Sequence, residues 1–146
     1  MQPKHFLLLS FLRDNSREKL TTISRKTGIP ISTLFDLLKE LNNNEITKST
    51  VLLDFPKLGY HIHAQVFIKV NKDDKLKLEK HLYHHSNVNT IYKVNNGWDF
   101  IMETVHKNIK DLDGFLENIE DKFNLEKKET HYLINEIKKE SFCISN

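Results

Sequence analysis

The first apolar stretch of the chain lies near its start. Apolar side chains, among them Phe6, Leu8 and Leu12, crowd the segment from Lys4 to Arg13. Such density predicts a strongly apolar helix. The stretch is too short to cross a bilayer, so we expect it to pack against the segment that follows.

The next segment, Leu20 to Leu41, has the pattern of two short helices joined by a tight turn. Thr21 is the expected cap of the first helix, and Gly28 ends it, because glycine readily adopts the left-handed conformation beyond a helix. Ser32 or Thr33 is expected to cap the second helix. Its apolar positions recur on one face, at Leu34, Leu38 and Leu41. The sequence therefore predicts a helix-turn-helix, whose second helix can enter a DNA major groove.

Turn formers and strand formers follow the second helix. Three consecutive asparagines, Asn42–Asn44, predict its end, and the β-prone segment Ile46–Leu53 predicts a small wing that carries Lys48. Asp54–Tyr60 contains proline and glycine and predicts a domain boundary. The expected organisation is a winged helix-turn-helix DNA-binding domain over residues 1–53, a linker over 54–60 and a second domain over 61–146.

The second half of the chain alternates strand-like and helix-like segments. The predicted elements are, in order, a strand His63–Val70, a helix Asp73–His84, strands Val88–Asn95 and Trp98–Val105, a helix Asp111–Phe123 and a strand Thr130–Ile137. Asn96-Gly97 between the two middle strands indicates a hairpin, because both turn positions need a positive φ. The order β-α-β-β-α-β predicts a ferredoxin-like sandwich, so the expected fold class is α+β.

The predicted sheet carries apolar side chains on the face that its helices leave open. These side chains belong to Phe67, Ile101, Leu133 and Ile137. A large apolar surface on a monomer is rare, and a second copy of the chain is the usual means of covering one. We therefore expect the protein to be a homodimer at least.

The distribution of charge follows the predicted domains. With 38% hydrophobic and 29% charged residues the chain is typical of a globular protein, and its formal charge is +2. Residues 1–50 carry eight Lys/Arg against five Asp/Glu, and the remaining residues carry fourteen against fifteen. The positive excess therefore lies with the helix-turn-helix, in the direction that DNA binding requires.

Several function classes are disfavoured by features that the sequence lacks. Its single cysteine, Cys143, excludes an intrachain disulfide framework and a cysteine-based zinc finger. It shows neither a signal peptide nor a transmembrane run, so we expect a cytoplasmic protein without membrane contact. It shows no glycine-rich phosphate loop and no nucleophile elbow, so we expect no cofactor and no enzymatic activity.

The eight histidines of the chain suggest a second hypothesis. His61 and His63 would share one face of a strand, and His81 would share a helix face with His84 or His85. A metal-responsive regulator could use such pairs. No cysteine or ordered acidic partner accompanies them, so metal sensing stays an alternative and no metal ligand is assigned.

Taken together, these segments resemble the Lrp/AsnC, or feast/famine, transcription regulators of bacteria and archaea. The resemblance lies in GIPISTLFDLLKEL at the helix-turn-helix, LDFPKLGYHIHAQVFIKV at the joint, NGWDFIMET at the hairpin and THYLINEIK near the end. It implies an N-terminal domain that binds double-stranded DNA and a C-terminal domain that assembles dimers into larger oligomers. Members of the family sense amino acids near the hairpin, so the implied effector is an amino acid or another small molecule.

The expected DNA contacts lie on the second motif helix and beside it. Those expected to face the groove are Ser32, Thr33, Phe35, Asp36 and Lys39, and those expected to hold phosphates are Arg25, Lys26 and Lys48. Phe35, Asp36 and Leu37, followed by Glu40, depart from the small polar and basic residues usual in the family. An aspartate repels phosphates, and an exposed Phe or Leu contacts only a thymine methyl group. A helix-turn-helix that serves only for packing is therefore the alternative.

The expected effector contacts lie at the hairpin. The family's order of glycine, polar, aromatic and aspartate residues appears here as Asn96, Gly97, Trp98 and Asp99, with the glycine moved by one position. Trp98 could contact the side chain of an amino acid, and Asp99 could contact its ammonium group. Alternatively, Trp98 packs between subunits and Asp99 accepts hydrogen bonds from the turn.

Overall fold

The computed structural model describes residues 2–144 and divides into two compact units. Its helices are α1 (Pro3–Asp14), α2 (Leu20–Thr27), α3 (Ile31–Asn44), α4 (Lys75–His84) and α5 (Ile109–Lys122). Its strands are β1 (Ile62–Val70), β2 (Val88–Lys93), β3 (Phe100–His106) and β4 (Leu125–Tyr132). The residues up to Leu52 together with those from Ile137 onward form the first unit, and Leu53–Glu136 form the second. No helix within residues 2–144 has the length and apolarity that spanning a membrane requires.

The first unit is a three-helix assembly around one small core. The predicted first helix and the two motif helices are all present, as α1, α2 and α3. Each contributes apolar side chains from one face, and the buried set is Leu8, Ile23, Ile29, Leu34, Leu37 and Leu41. α1 thus packs against the helix-turn-helix through this core.

The start of α2 differs from the prediction. The helix begins at Leu20, and the carbonyl of Lys19 accepts the N–H of Thr22 at 2.9 Å, so the expected cap at Thr21 is wrong. The backbone conformation of Lys19 is extended, and its side chain makes no capping bond. Thr21 lies inside the first turn instead, where its own N–H is one of the groups that a cap would satisfy.

The start of α3 also differs from the prediction. The helix begins at Ile31, and the carbonyl of Pro30 accepts the N–H of Leu34 at 3.0 Å. The expected cap at Ser32 or Thr33 is therefore wrong. The ring of Pro30 holds φ at −56°, close to the helical value, so the chain enters the helix without the help of a hydroxyl group.

The predicted wing is absent from the described residues. Ile46 packs against the core of the first unit, and its N–H donates to the carbonyl of Leu41 at 2.8 Å. The residues from 47 to 53 have no strand conformation, and Val51, Leu52 and Leu53 are exposed. A β-prone sequence becomes a strand only when a neighbouring strand accepts its backbone hydrogen bonds, and none lies beside this segment within its unit.

The last described residues belong to the first unit, whereas the sequence predicted them in the second domain. The guanidinium group of Arg13 on α1 donates to the carboxylate of Glu140 and to the carbonyl of Phe142, each at 3.1 Å. The prediction followed sequence order alone and contained no signal for this long-range contact.

The second unit is a four-stranded antiparallel sheet with its helices on one face. The strand order is β2-β3-β1-β4, and β1 pairs antiparallel with both β3 and β4. The buried side chains of β1 and β3 form one core with those of α4 and α5. This is the predicted ferredoxin-like βαββαβ sandwich, and with the helix-turn-helix it confirms the α+β fold class.

Regular hydrophobic patterns account for the central elements of the sheet. Along β1, burial alternates strictly, and Ala64, Val66, Ile68 and Val70 face the helices. Helix α5 buries Leu112, Phe115, Leu116 and Ile119, whose spacing is that of one helix stripe. Its first turn is capped by Asn108, whose side-chain oxygen accepts the N–H of Asp111 at 2.9 Å. Helix α4 begins at Lys75, after a 3-10 turn over Lys72–Asp74, and not at Asp73 as predicted.

The last strand lies earlier in the sequence than predicted. β4 spans Leu125–Tyr132, whereas the predicted strand was Thr130–Ile137. As an edge strand, β4 has exposed charged residues along most of its length, so it lacks the alternation of buried and exposed residues that marks β1. Leu133 donates one further hydrogen bond to the carbonyl of His63, at 2.8 Å, and the pairing stops there.

The open face of the sheet retains only part of the predicted apolar surface. Phe67 and Ile101 are directly opposite each other in the β1–β3 pairing, and both are half-buried. Tyr92, which pairs with Ile101, extends this surface onto β2 and is exposed. Leu133 follows the end of β4 next to His63 and is 39% exposed, whereas Ile137 belongs to the first unit and does not form part of the face as expected.

Candidate functional site

The turn between α2 and α3 fixes the geometry of the helix-turn-helix. Gly28 ends α2 with φ at +73°, and its N–H donates to the carbonyl of Ser24 at 2.8 Å. The hydroxyl of Thr27 donates to the carbonyl of Ile23 at 2.8 Å and accepts the N–H of Ile29 at 3.3 Å. The backbone groups at the helix end are thus satisfied locally. The sequence predicted the role of Gly28 but not that of Thr27, which depends on its position at the end of a helix.

One face of α3 presents most of the residues expected to face DNA. Ser32, Phe35, Asp36 and Lys39 are all exposed, and their spacing places them on a single stripe of the helix. The Phe35 side chain is 60% exposed, which is unusual for a phenylalanine that has only a packing role. Thr33 is half-buried at the edge of the stripe. The stripe therefore offers a hydroxyl, an aromatic ring, a carboxylate and an ammonium group to a partner.

Two of the departures from the family pattern are not among the four residues of this stripe. Leu37 is buried in the core of the first unit, so the expectation of an exposed leucine is wrong. The carboxylate of Glu40 is 3.1 Å from the Nε2 of the buried His5 on α1, and the Glu40 side chain is 56% exposed. Glu40 lies about one turn after Asp36, so it places a second acidic group at the edge of the stripe. His5 could not be identified from the sequence, because a contact between two helices has no local signal.

The cations expected to hold phosphates lie on α2 and in the segment after α3. Arg25 and Lys26 occupy the last turn of α2, and both are exposed. The ammonium group of Lys26 lies 5.5 Å from the ring centroid of Phe11, which orients the lysine side chain. Lys48 is exposed in the irregular segment where the wing was expected.

The hairpin connects β2 and β3 by a loop that is longer than a two-residue turn. Lys93 pairs with Phe100, and the N–H of Val94 donates to the carbonyl of Asp99 at 3.0 Å. Asn96 and Gly97 have φ values of +64° and +99°, as the Asn-Gly signal predicted. The loop therefore turns at the predicted dipeptide, but it includes Val94 and Asp99 as well.

Asp99 is bound within the second unit. Its carboxylate accepts the Nζ of Lys75 on α4 at 2.8 Å and the backbone N–H of Val70 at 3.0 Å. Partial burial raises the pKa of Asp99, but these two hydrogen bonds, together with the charges of Lys75 and Lys69, outweigh it, so the pKa is lowered. Its own N–H donates to the carbonyl of Ile68 at 2.9 Å. Asp99 thus anchors the loop to the end of β1: its carboxylate is bound by β1 and α4, while its carbonyl accepts the N–H of Val94 within the loop.

Trp98 packs on the open face of the sheet. Its ring centroid lies 5.6 Å from that of Phe67, and the Nζ of Lys127 on β4 lies 4.0 Å from the Trp98 ring. Lys127 therefore makes a cation–π contact at the edge of the loop. Asn96 and Gly97 are exposed beside it.

The predicted histidine pairs are only partly brought together. His61 precedes β1 and is exposed, while His63 is 2.8 Å from the carboxylate of Glu103. The rings of His81 and His85 are 5.8 Å apart, whereas His84 contacts Tyr83 on the exposed side of α4. Within residues 2–144, no three histidine, cysteine or acidic side chains are grouped closely enough to hold a metal ion.

A helix-turn-helix with an exposed polar stripe, followed by a ferredoxin-like sandwich, defines a class of helix-turn-helix transcription regulators. Residues 63–141, more than half of the chain, match the Lrp/AsnC ligand binding domain. The chain therefore belongs to the Lrp/AsnC family, as the sequence predicted.

Relatives and solved structures agree with this family. An uncharacterised HTH-type transcriptional regulator of Pyrococcus furiosus is 27% identical over 136 residues, which cover 92% of this chain and 91% of the relative. The HTH-type transcriptional regulator FL11 of Pyrococcus horikoshii is 24% identical over 77% of this chain and 75% of its own length.

Two solved structures have the same fold at low sequence identity. Transcriptional regulator NMB0573 of Neisseria meningitidis, solved as a complex with L-Met, has a TM-score of 0.87 at 14% identity and covers 95% of this chain and 93% of its own. AsnC of E. coli has a TM-score of 0.84 at 16% identity, with 95% of each chain covered.

Proposed function

We propose that the protein regulates transcription by binding double-stranded DNA with the exposed stripe of α3. The observation that carries the proposal is the stripe itself: Ser32, Phe35, Asp36 and Lys39 face outward from a second motif helix whose other side is fixed in a core. Ser32 and Lys39 can donate hydrogen bonds to base edges or phosphates, and Phe35 can contact a thymine methyl group. Arg25, Lys26 and Lys48 supply the phosphate contacts.

The affinity of one subunit for DNA is expected to be low. Its exposed cations allow about three phosphate contacts, and Asp36 on the stripe opposes them electrostatically. A dimer doubles the number of contacts and reads two half-sites about one helical turn apart. The proposed regulator therefore acts as a homodimer or a larger homo-oligomer, and the open face of the sheet, with Phe67, Tyr92 and Ile101, is its proposed contact surface.

The proposed effector site is the loop from Asn96 to Asp99. NMB0573, which shares the fold, was solved with an amino acid bound. In this chain, the loop is held at one end by the bonds of Asp99, and its exposed turn lies beside the aromatic surface of Trp98 and Phe67. A small molecule bound there would be close to the open face of the sheet, so it could alter the association of subunits.

The DNA-binding proposal is tested by a salt series. Fluorescence anisotropy of the chain with the DNA upstream of its own gene, compared with a scrambled duplex, should show selective binding. The double-logarithmic plot of affinity against salt should have a slope of about −5 for six phosphate contacts in a dimer.

Variants of the stripe make this test specific. Lys39→Ala should weaken binding and reduce the salt slope by about one for each phosphate that is no longer neutralised, whereas Asp36→Asn should strengthen binding because it removes a repulsive charge. Lys110→Ala, an exposed lysine at the start of α5, is the matched control and should change neither quantity. Equal binding to both duplexes, with no response to either stripe variant, would favour the alternative of a motif that serves only for packing.

A further inference from the structure

The hairpin loop exposes backbone donors that the protein does not use. The N–H groups of residues 95–98 donate no hydrogen bond to any group in the described part of the chain. Two successive residues of this loop, Asn96 and Gly97, have positive φ, a conformation in which neighbouring N–H groups can converge. Such convergent N–H groups bind anions. The loop therefore has the donors of a small anion site.

Lys127 adds a positive charge at the same place. Its Nζ is 4.0 Å from the Trp98 ring and 3.6 Å from the position that a Cβ on Gly97 would occupy. The neighbouring lysines are paired with carboxylates: Lys69 with Glu126 at 3.5 Å, and Lys128 with Glu120. Among residues 2–144, no carboxylate forms an ion pair with Lys127. The lysine that overlies the loop is thus the one whose charge is available to a ligand.

The nearby carboxylates are paired with other groups of the chain, so Asp99 and Glu129 offer no unpaired negative charge to an ammonium ion. Asp99 is held by Lys75 and by the N–H of Val70. On the open face of β4, the carboxylate of Glu129 contacts the imidazole of His131. The positive charge of Lys127 would repel a cation bound at this loop, and no unpaired carboxylate of Asp99 or Glu129 would offset that repulsion.

From these contacts we infer that the loop binds the carboxylate of its effector through Lys127 and the N–H groups of residues 95–98, and does not require an amino group. The ligand class is a small carboxylate with an apolar substituent that lies against Trp98 and Phe67. An amino acid is one member of this class, and the corresponding 2-hydroxy acid is another. The inference builds on the proposed effector site and adds the chemical group that it recognises.

Calorimetric titration of the full chain tests this inference. The probes are the proteinogenic amino acids, followed by the amide and the 2-hydroxy acid that correspond to each amino acid that binds. The hydroxy acid should bind within about threefold of the amino acid, and the amide should bind at least about tenfold more weakly, because it lacks the charge-assisted bonds to Lys127. An amide that binds as tightly as the acid, or the absence of binding by every carboxylate, would overturn the inference.

A lysine variant identifies the group responsible. Lys127→Met keeps an apolar chain over Trp98 but removes the ammonium group, and it should weaken carboxylate binding by about tenfold. Lys107→Met, at an exposed lysine just after β3, is the matched control and should bind like the unaltered protein. An unchanged affinity in the Lys127 variant, or an equal loss in both variants, would contradict the assignment.

DNA binding by the same preparations separates this inference from the proposed function. If no carboxylate binds but Lys39→Ala weakens DNA binding as expected, the inference is wrong and the proposed regulator stands. If carboxylates bind through Lys127 but the protein does not distinguish its upstream DNA from the scrambled duplex, the DNA-binding proposal is wrong and the ligand site stands.

Discussion

At the scale of single residues, a few backbone and side-chain positions determine how the helix-turn-helix is presented. Gly28 turns the chain between α2 and α3, and Thr27 satisfies the backbone groups on either side of that turn. His5 contacts the carboxylate of Glu40 at the edge of the exposed stripe. None of these three residues belongs to the stripe itself.

The importance of Gly28 can be tested against a glycine in a helix. A Cβ at Gly28 would meet no heavy atom within 4 Å, so Gly28→Ala costs only the strain of a left-handed backbone, about 1 kcal/mol of unfolding free energy. Gly114 in α5 has equally open surroundings without a positive φ, and Gly114→Ala should stabilise by about 0.5–1 kcal/mol. Urea denaturation monitored by circular dichroism measures both changes. If both substitutions change the free energy of unfolding in the same direction, the backbone angle φ of the glycine does not decide whether alanine stabilises or destabilises.

At the scale of secondary-structure elements, a group of imidazoles links α4, β3 and α5. The ring of Phe115 on α5 lies 4.6 Å from that of His85 and 5.2 Å from that of His106. His106 is only 1% exposed. The Nδ1 of His85 accepts the N–H of Asn87, whose side chain donates to the carbonyl of Val105 at 2.7 Å. The unprotonated form of His85 therefore helps to hold the α4–β2 connection against β3.

Charge on this group is disfavoured by its surroundings. Burial lowers the pKa of His81, His85 and His106, and this is the largest cause for each. His81 and Lys122 further lower the pKa of His85, and His85 lowers that of His106, whereas Asp111 partly opposes the effect on His106. Lys122 also lowers the pKa of His81.

These shifts predict that acid weakens the second unit. Because the folded pKa values lie below the unfolded value, the unfolded chain binds more protons, and stability falls as the pH drops below about 6.5. Each proton taken up contributes at most about 1.4 kcal/mol per pH unit to this loss. Urea midpoints measured between pH 7.5 and pH 5 give the dependence of stability on pH. His106→Gln should make this dependence shallower, while His84→Gln, on the exposed side of α4, should leave it unchanged. An unchanged dependence in the His106 variant would show that burial of this imidazole does not cause the loss of stability in acid.

The elements that could be predicted from the sequence are those with a regular local pattern. α5 and β1 bury residues at the periods of a helix and a strand, so both were located to within two residues. The caps of α2 and α3 depend on backbone geometry at Lys19 and Pro30 that the residue types alone do not reveal.

Features that depend on distant contacts could not be read from the sequence in this way. β4 is a charged edge strand whose position follows from pairing with β1, and the β-prone segment after α3 has no partner strand in its unit. In the expected sites, the exposure of the α3 stripe could be predicted from its period. The bonds of Asp99 and the position of Lys127 could not, because they join residues that lie far apart along the chain.

At the scale of the whole molecule, the proposed function depends on association between copies of the chain. Ile101 lies at the centre of the open face, opposite Phe67 and beside Tyr92. Ile101→Asp would place a charge in a contact that excludes water, so it should convert a dimer into a monomer without unfolding the sheet. Light scattering after gel filtration measures the mass, and circular dichroism verifies the fold.

A substitution on the other side of the second unit provides the comparison. Leu76 on α4 is 71% exposed, and Leu76→Asp should leave the mass unchanged. If the unaltered protein is a monomer, or if Ile101→Asp keeps the mass of the unaltered protein, the open face is not the contact surface between copies.

The return of the chain to its first unit after Glu136 has a mechanical consequence. The second unit is inserted into the first, since both of its ends continue into the same group of helices and its tail. Two covalent connections, one before Leu53 and one after Glu136, therefore join the units, and a cut at either of them would leave the second unit attached to the first through the other.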